Sequence, residues 1–393
     1  MKMAKTTNPQ INEFLHGKFL KFDIQAINQE LRQFWIEAQD NNNNNQLSTT
    51  RACSNNLIIL SDDFKNEDNL ADLIDNIMLY SPCRAILAIC APACDDSFEA
   101  YASARCHVTD SNHKKQVCSE QITLKQAYSN ASAQNFLKHS LEMASAIASL
   151  ILQDLPVIMW WHSNTFSQQY FQPFGYFIDT LIIDTAKIFN SSAENLYEFK
   201  DCLKLPVIDL TATRLLPWRK SIAYSLDAFF KSDSIKFTSV RIINNKPAKF
   251  NYSYEALYLA TWFTTLLNLK FVRKIEATDL CLIFDRIEPV NQYINHELPI
   301  YFSCVPNPKA CDNNIVKISI FFEHNNEEKN IEYEVSNNEI KTTFANEQSL
   351  SKICLNNNLI IQELLNSNHD HTCLKTLNQV IDLLKVLMES HNA

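Results

Sequence analysis

Short apolar runs alternate with segments of helical pattern through roughly the first 230 residues, and this alternation constrains the fold most strongly. The runs at residues 57–60, 85–90 and 156–161 are short and bounded by breakers, which is typical of buried strands. Between the first two, apolar residues from Leu70 to Ile77 recur at helical spacing. Because parallel strands need a crossover connection, this order favours parallel pairing. We therefore predict an α/β fold whose mixed, mainly parallel sheet carries helices on its faces.

The pattern changes after residue 230. One more helix is predicted at 254–269, and strand candidates then follow one another at 280–284, 300–304, 315–322, 330–335 and 339–344. Two helical runs finish the chain, near residues 359–365 and 374–388. Strands followed by helices predict a separate, smaller α+β domain. The predicted organisation has three parts: an N-terminal helix and Asn-rich linker at 1–50, an α/β domain at 51–230, and a C-terminal α+β domain at 231–393.

Glycine is nearly absent from the chain, which contains only Gly17 and Gly175. A dinucleotide fingerprint needs three closely spaced glycines, a phosphate-binding loop needs two, and a nucleophile elbow also needs two. None of these motifs can be written with this pair, so we predict no nucleotide cofactor. Asparagine tolerates left-handed backbone best after glycine, and we expect it to occupy many turns and helix C-caps. The segment HNNEE after residue 323 predicts one such hairpin turn.

The charge balance excludes nucleic acid as the main partner. Lys and Arg number 35 against 44 Asp and Glu, which gives a formal net charge of −9, whereas phosphate neutralisation needs a basic face. The N-terminus lacks the apolar core of a signal peptide, and the longest apolar candidate, 141–161, is broken by Gln153, Asp154 and Pro156. We therefore expect a cytoplasmic chain with no membrane partner and with mostly reduced thiols.

Cysteine and histidine offer little evidence for a metal site. The 12 cysteines include no CxxC pair, and the cluster of His369, His371 and Cys373 lacks an evident fourth ligand. We predict no metal. Cys83 and Cys118 are candidates for redox regulation, and the alternative is that they are buried, inert thiols.

The candidate binding residues lie at two places where strands end. Tryptophan and arginine are the residues most enriched among interface anchors, because they bury a large area and still make polar contacts. We predict a partner-binding set of Trp160, Trp161, His162, Arg214, Trp218 and Arg219. Core packing remains the alternative for the tryptophans. We predict no catalytic residue, since His162 stands alone as a general-base candidate.

Six segments, in the same order and with similar spacing, resemble the glucose-6-phosphate dehydrogenase assembly protein OpcA family. They are SPCRAILAI from residue 81, ARCH from 104, CSEQITL from 118, DLPVIMWW from 154, LIIDTA from 181 and DLTATRLLPWR from 209. The family pattern usually has tryptophan where this chain has Ala212.

The resemblance implies a non-catalytic partner of glucose-6-phosphate dehydrogenase, which promotes oligomerisation and activity of that enzyme in the oxidative pentose phosphate pathway. It also implies that thiol redox state influences the effect in some members. The alternative function is a sugar-phosphate-binding protein or enzyme that uses a crevice near His162, Arg214 and Arg219, since the guanidinium fork suits phosphate geometry.

Overall fold

The structure is a computed structural model. It describes residues 11–16, 20–21, 23–45, 48–51, 53–108, 115–129, 133–200, 205–229, 235–245, 252–276, 279–287, 297–305, 315–336, 339–344, 347–352 and 372–389. The chain divides into two compact units. The first comprises Met1–Asp184, Asp201–Ile208 and Ile361–His369, and the second comprises Thr185–Lys200, Asp209–Ile360 and Asp370–Ala393.

The first unit is built on a ten-stranded sheet. The last of these strands along the chain ends at Asp209, which is the first residue of the second-unit segment Asp209–Ile360. The strands of this sheet are β1 (Ile11–His16), β2 (Leu20–Lys21), β3 (Ser48–Arg51), β4 (Asn56–Ser61), β5 (Arg84–Pro92), β6 (Ser97–Val108), β7 (Lys115–Tyr128), β8 (Val157–Trp161), β9 (Thr180–Ile183) and β10 (Val207–Asp209). The helices of the first unit are α1 (Ile24–Asn45), α2 (Glu67–Tyr80), α3 (Ala133–Leu150) and α4 (Gln168–Phe171).

The strand order reverses direction at the centre of this sheet. The order is β1-β6-β7-β5-β4-β8-β9-β10, and β7, β5, β4, β8 and β9 pair in parallel. If β4, β5, β7, β8, β9 and β10 are numbered 1 to 6 along the chain, which leaves out the antiparallel β6, their order in the sheet is 3-2-1-4-5-6. This is the strand order of a doubly wound dinucleotide-binding sheet. The predicted α/β class with a mainly parallel sheet is confirmed.

Two details of the first 200 residues differ from the predictions. The asparagine run 41–45 forms the end of α1 and is not a linker. The helix predicted at 191–203 is two helices, α5 (Thr185–Ser191) and α6 (Ala193–Lys200), and α5 begins earlier because buried side chains receive its first N–H groups.

The second unit contains an eight-stranded, mainly antiparallel sheet and further helices. Its strands are β11 (Ile235–Asn245), β12 (Leu269–Glu276), β13 (Leu280–Arg286), β14 (Glu297–Val305), β15 (Ile315–His324), β16 (Glu327–Ser336), β17 (Glu339–Phe344) and β18 (Glu347–Lys352). The remaining helices are α7 (Leu210–Arg214), α8 (Leu216–Phe229), α9 (Tyr254–Leu266) and α10 (Thr372–Glu389). The strand order is β12-β13-β14-β11-β15-β16-β17-β18. The predicted helix at 359–365, with His369 and His371, lies outside the described residues.

Asparagine takes the left-handed backbone positions, as predicted. Asn325 and Asn326 have φ values of 56° and 62° and connect β15 to β16. Positive φ at both central residues is what a two-residue hairpin turn of type I′ requires. Asn268, with φ of 53°, directly follows the C-cap of α9. Three asparagines therefore stand where glycine is usually found.

The compact units do not follow the predicted boundary at residues 230 and 231. The first division falls between Asp184 and Thr185, and the chain returns to the first unit at Asp201–Ile208. Domains that fold independently at 51–230 and 231–393 therefore stay a prediction. Within the described residues, no helix is long and apolar enough to cross a membrane.

A buried ion pair connects three elements of the first unit. Arg84 on β5 donates from Nε to Glu120 Oε2 on β7 at 2.7 Å, and its Nη2 lies 2.5 Å from the same oxygen. Its Nη1 donates to the carbonyl of Leu150 at 2.6 Å, at the end of α3, where helix carbonyls lack helical partners. The Glu120 side chain is 0% exposed, and Arg84 places a counter-charge beside it.

Replacing Glu120 with alanine should lower the free energy of unfolding by about 3–5 kcal/mol, because a buried guanidinium would lose its counter-charge. Urea denaturation measures the change. Lys138→Ala is the matched control, since the Lys138–Glu142 pair is 67% and 41% exposed and such pairs contribute about 0–1 kcal/mol. A loss below about 1 kcal/mol for Glu120→Ala would contradict the assigned role.

Candidate functional site

A cavity of about 300 Å³ lies at the carboxyl ends of the parallel strands of the first unit. Ligands of doubly wound sheets bind outside these strand ends, at the point where the strand order reverses, which here lies between β4 and β8. The residues around the cavity come from the ends of four strands and from the loop after β8. They are Leu60, Ser61, Asp62, Cys90, Pro92, Tyr128, Trp161, Ser163, Thr165, Ser167 and Tyr170.

A hydrogen-bonded turn forms the polar side of this cavity. Ser163 donates from Oγ to Oδ2 of Asp62 at 2.5 Å and accepts from the backbone N–H of Thr165 at 3.0 Å. The indole N–H of Trp161 donates to the carbonyl oxygen of Thr165 at 2.8 Å. The loop after β8 is thus held to the end of β4, and its hydroxyl groups have defined positions.

Aromatic rings and a thiol form the other side. Trp161 and Tyr170 are buried, and their ring centroids are 5.7 Å apart in an edge-to-face arrangement. Burial raises the pKa of the Cys90 thiol to about 11, against a smaller opposing effect of its hydrogen bond with Tyr170. Burial, followed by the neighbouring Cys90, raises the pKa of Tyr170 well above its usual value. Both groups are therefore neutral at physiological pH.

The residues at this position do not fit a dinucleotide, the cofactor that this strand order implies. Such folds place the pyrophosphate on a glycine-rich turn between the first strand and its helix. Here that turn contains Asp62 and Asp63, and the first turn of α2 adds Glu67 and Asp68. Asp63 Oδ1 accepts from the N–H of Lys65, so a carboxylate already occupies one of the N–H groups of the turn. These carboxylates would repel a pyrophosphate.

The three tryptophans predicted to bind a partner belong to the core. Trp160, Trp161 and Trp218 are 4%, 3% and 4% exposed. Trp160 packs edge-to-face against His162 at 4.8 Å, whereas Trp161 packs against Phe166 at 5.0 Å, as expected for neighbours on opposite faces of a strand. The core alternative therefore applies to all three in this structure.

The other predicted residues differ in their accessibility. Arg219 is 8% exposed and donates from Nη2 to the carbonyl of Ala212 at 3.1 Å, so it does not face solvent as expected of an anion-binding arginine. His162 and Arg214 are half-buried and retain some accessible surface. His162 lies in the first unit, and Arg214, Trp218 and Arg219 lie in the second.

Two of the recognised motifs, LIIDTA and DLTATR, meet in a buried hydrogen-bond network. The Asp209 carboxylate accepts from Thr185 Oγ1 at 2.7 Å and, as N-cap of α7, from the N–H of Thr211 at 2.9 Å. Thr211 Oγ1 in turn accepts from the N–H of Ala186 at 3.0 Å and from Arg214 at 3.3 Å. Asp209 therefore acts as a helix cap, a role for which aspartate is strongly preferred.

The two redox candidates have different environments. Burial, followed by the nearby Cys53, raises the pKa of Cys83, which disfavours its reactive thiolate. Cys118 is disulfide-bonded, and Cys106 on β6 is the residue opposite it in the strand register. The expectation of mostly reduced thiols therefore does not hold at Cys118, where the register of β6 and β7 brings two cysteines opposite each other.

Of the residues that line the cavity, the sequence singled out only Trp161, as a predicted partner-binding residue. Asp62, Ser163 and Tyr170 belong to no motif, and about a hundred residues separate the first from the second. One signal in the sequence could have indicated the site. Asp62 follows β4 and Ser163 follows β8, two buried strands that lie side by side in the sheet.

The Cys90 thiol should make stability fall at alkaline pH. Its folded pKa of about 11 exceeds the unfolded value of about 8.5, so the protonated thiol stabilises the fold below pH 8.5, and this is lost as pH rises to 11. Over that range the unfolding free energy of the native chain should drop by about 3 kcal/mol relative to Cys90→Ala. Cys94→Ala, at an exposed thiol, is the control and should follow the native chain. Parallel curves for all three proteins would refute the assignment.

Comparison with known proteins finds a family model that matches part of the chain. Residues 74–201 match the family model described as the glucose-6-phosphate dehydrogenase subunit N-terminal domain, of the OpcA type. A protein of Nostoc punctiforme, provisionally named OxPP cycle protein OpcA, is 26% identical over 160 residues. That match covers 40% of this chain and 32% of the relative, so the chain spans about a third of the relative's length.

Solved structures with a similar arrangement include an oxidoreductase from Sinorhizobium meliloti, with a TM-score of 0.48 and 9% identity over 87% of this chain and 99% of that one. An NAD-binding oxidoreductase from Klebsiella pneumoniae has a TM-score of 0.46 and 7% identity over 85% of this chain and 96% of that one. At these values neither match bears on activity. The resemblance to the OpcA family is confirmed by the family model and the Nostoc relative, and residues 74–201 are the part of the chain that is similar to the N-terminal domain described by that model.

Proposed function

We propose that this chain is a non-catalytic assembly factor and allosteric activator of glucose-6-phosphate dehydrogenase, which promotes oligomerisation and activity of that enzyme in the cytoplasm. The match of residues 74–201 to the OpcA-type domain is the observation that carries the proposal. The name of the Nostoc punctiforme relative, which refers to the OxPP cycle, supports the same pathway.

The turn after β4 supports an accessory role over hydride transfer. A dehydrogenase of this strand order would hold its cofactor's pyrophosphate where this chain has Asp62 and Asp63. A partner that supplies no cofactor can still accelerate the enzyme by binding its active assembly more tightly than its inactive one. Each tenfold difference in that affinity shifts the equilibrium by about 1.4 kcal/mol.

Docking is assigned to the accessible members of the predicted partner-binding set, His162 and Arg214. The tryptophans would act indirectly, because they are buried. Binding a sugar phosphate near His162, Arg214 and Arg219 has less support, since the Arg219 guanidinium is buried against the carbonyl of Ala212.

Adding the purified chain to its cognate dehydrogenase should raise the rate at subsaturating glucose 6-phosphate. The effect should saturate at a fixed stoichiometry, because an assembly factor acts as a subunit. Initial rates measured against substrate concentration, together with light scattering after size exclusion, test both parts. Unchanged rate, substrate affinity and complex size under reducing and oxidising conditions would refute the proposal.

Arg214→Ala should weaken the complex about tenfold or more if this arginine is an interface anchor. Lys220→Ala is the matched control, since Lys220 is an exposed cation on α8 outside the predicted set. Arg214 also donates a hydrogen bond to Thr211, so the melting temperatures of both variants are measured to show that a loss of affinity does not result from unfolding. Equal affinities of the two variants would remove Arg214 from the docking surface.

Cys118 is the residue through which we expect redox state to alter the activator effect. In the structure it is disulfide-bonded, so a reductant can change its covalent state. Cys118→Ser should abolish any difference in activation between oxidised and reduced protein. Cys94→Ser, which replaces an exposed thiol, should retain that difference. A redox response that persists in Cys118→Ser would assign it to another thiol.

A further inference from the structure

We infer that the cavity at the carboxyl ends of β4, β5, β7 and β8 binds a small, uncharged, polyhydroxylated ligand of the size of a monosaccharide or cyclitol. This inference does not depend on the proposed partner, because every residue that lines the cavity belongs to the first unit.

The first argument is the hydrogen-bonding character of the lining. Six of its eleven residues carry hydroxyl groups, which both donate and accept. Those residues are Ser61, Tyr128, Ser163, Thr165, Ser167 and Tyr170. A polyol presents the same mixture of donors and acceptors. The hydroxyl of Ser167 is available to a ligand, since it does not cap α4.

The second argument is the single carboxylate. Asp62 lines the cavity and accepts from Ser163 through Oδ2, which fixes the position of the carboxylate. A carboxylate oxygen is a strong acceptor for ligand hydroxyl groups. Because the lining contains no Lys, Arg or His, no side chain there compensates a negative ligand. The site therefore favours neutral polyols over their phosphate esters.

The third argument concerns size and rigidity. A cavity of about 300 Å³ is at the small end of the range for ligand sites, which suits a single ring and is too small for a dinucleotide. Trp161 is held by its bond to Thr165 and by packing against Tyr170, so an apolar wall faces the polar side. Such an arrangement of apolar walls with a few convergent polar groups is typical of small-molecule sites.

The test is direct binding to the full chain without the dehydrogenase. Saturation-transfer NMR and calorimetry would be run with D-glucose, D-ribose and myo-inositol, and with glucose 6-phosphate as the charged counterpart. We expect saturable binding of at least one neutral polyol. We expect glucose 6-phosphate to bind about tenfold more weakly than glucose, because its phosphate would lie near Asp62.

Two variants probe the cavity in different ways. Ser167→Trp should fill it and abolish binding. Asp62→Asn keeps the shape of the cavity and should weaken polyol binding about tenfold, because the charged acceptor is lost. It should also reduce the difference in affinity between glucose and glucose 6-phosphate. Asp72→Asn, an exposed acid on α2 outside the lining, is the matched control and should leave binding unchanged. Circular dichroism checks that each variant is folded.

Absence of saturable binding by all three polyols to the folded chain would overturn the inference. Tighter binding of glucose 6-phosphate than of glucose would also overturn it, and so would polyol binding that Asp62→Asn and Ser167→Trp leave unchanged. Since the dehydrogenase is not in these experiments, their failure would leave the assembly role untouched. Failure of the assembly assay would likewise leave the ligand site standing.

Discussion

The buried pair of Arg84 and Glu120 is the constraint on which the first unit depends. A carboxylate with no exposure is stable only beside its counter-charge, and the two residues stand opposite each other in the parallel register of β5 and β7. A shift of either strand by one residue would separate them and expose alternate side chains to the wrong face. The third bond, to the carbonyl of Leu150, adds the end of α3 to the same arrangement. Arg84 belongs to the motif SPCRAILAI and Glu120 belongs to CSEQITL, so packing of the first unit explains one residue of each motif.

A doubly wound strand order does not by itself specify hydride transfer. The central parallel strands follow the dinucleotide-binding order, yet the first strand-to-helix turn has Asp62 and Asp63 where glycines would be needed. The same strand ends instead form a compact, hydroxyl-rich cavity around Ser163 and Tyr170. The strand order of the sheet therefore does not determine which groups stand at its strand ends.

The parts of the fold that could be predicted were those with a strong local signal. β4 and β5 are buried on both faces and therefore read as continuous apolar runs. β11 was missed because it is half-buried and its pairing with β15 is irregular between Phe237 and Ser239, which interrupts the alternation. The candidate site was largely unpredictable, since its lining comes from four strand ends and a loop. Burial of Trp160 and Trp161 was also undecidable from the sequence, because interfaces and cores select the same residue.

The asparagines at the left-handed positions have a consequence for the unfolded chain. Asn268, Asn325 and Asn326 hold backbone angles that glycine would adopt without strain, so each costs some native-state energy. A side chain, however, restricts the conformations of the denatured chain more than glycine does. Where the native angles are compatible, replacing glycine therefore raises the free energy of unfolding by about 0.4–1 kcal/mol per site. With only two glycines in 393 residues, few positions of the unfolded chain have the extra conformational freedom of glycine, so little of that freedom is lost on folding. Local strain in the turns is thereby offset by a smaller entropic cost distributed along the whole polypeptide.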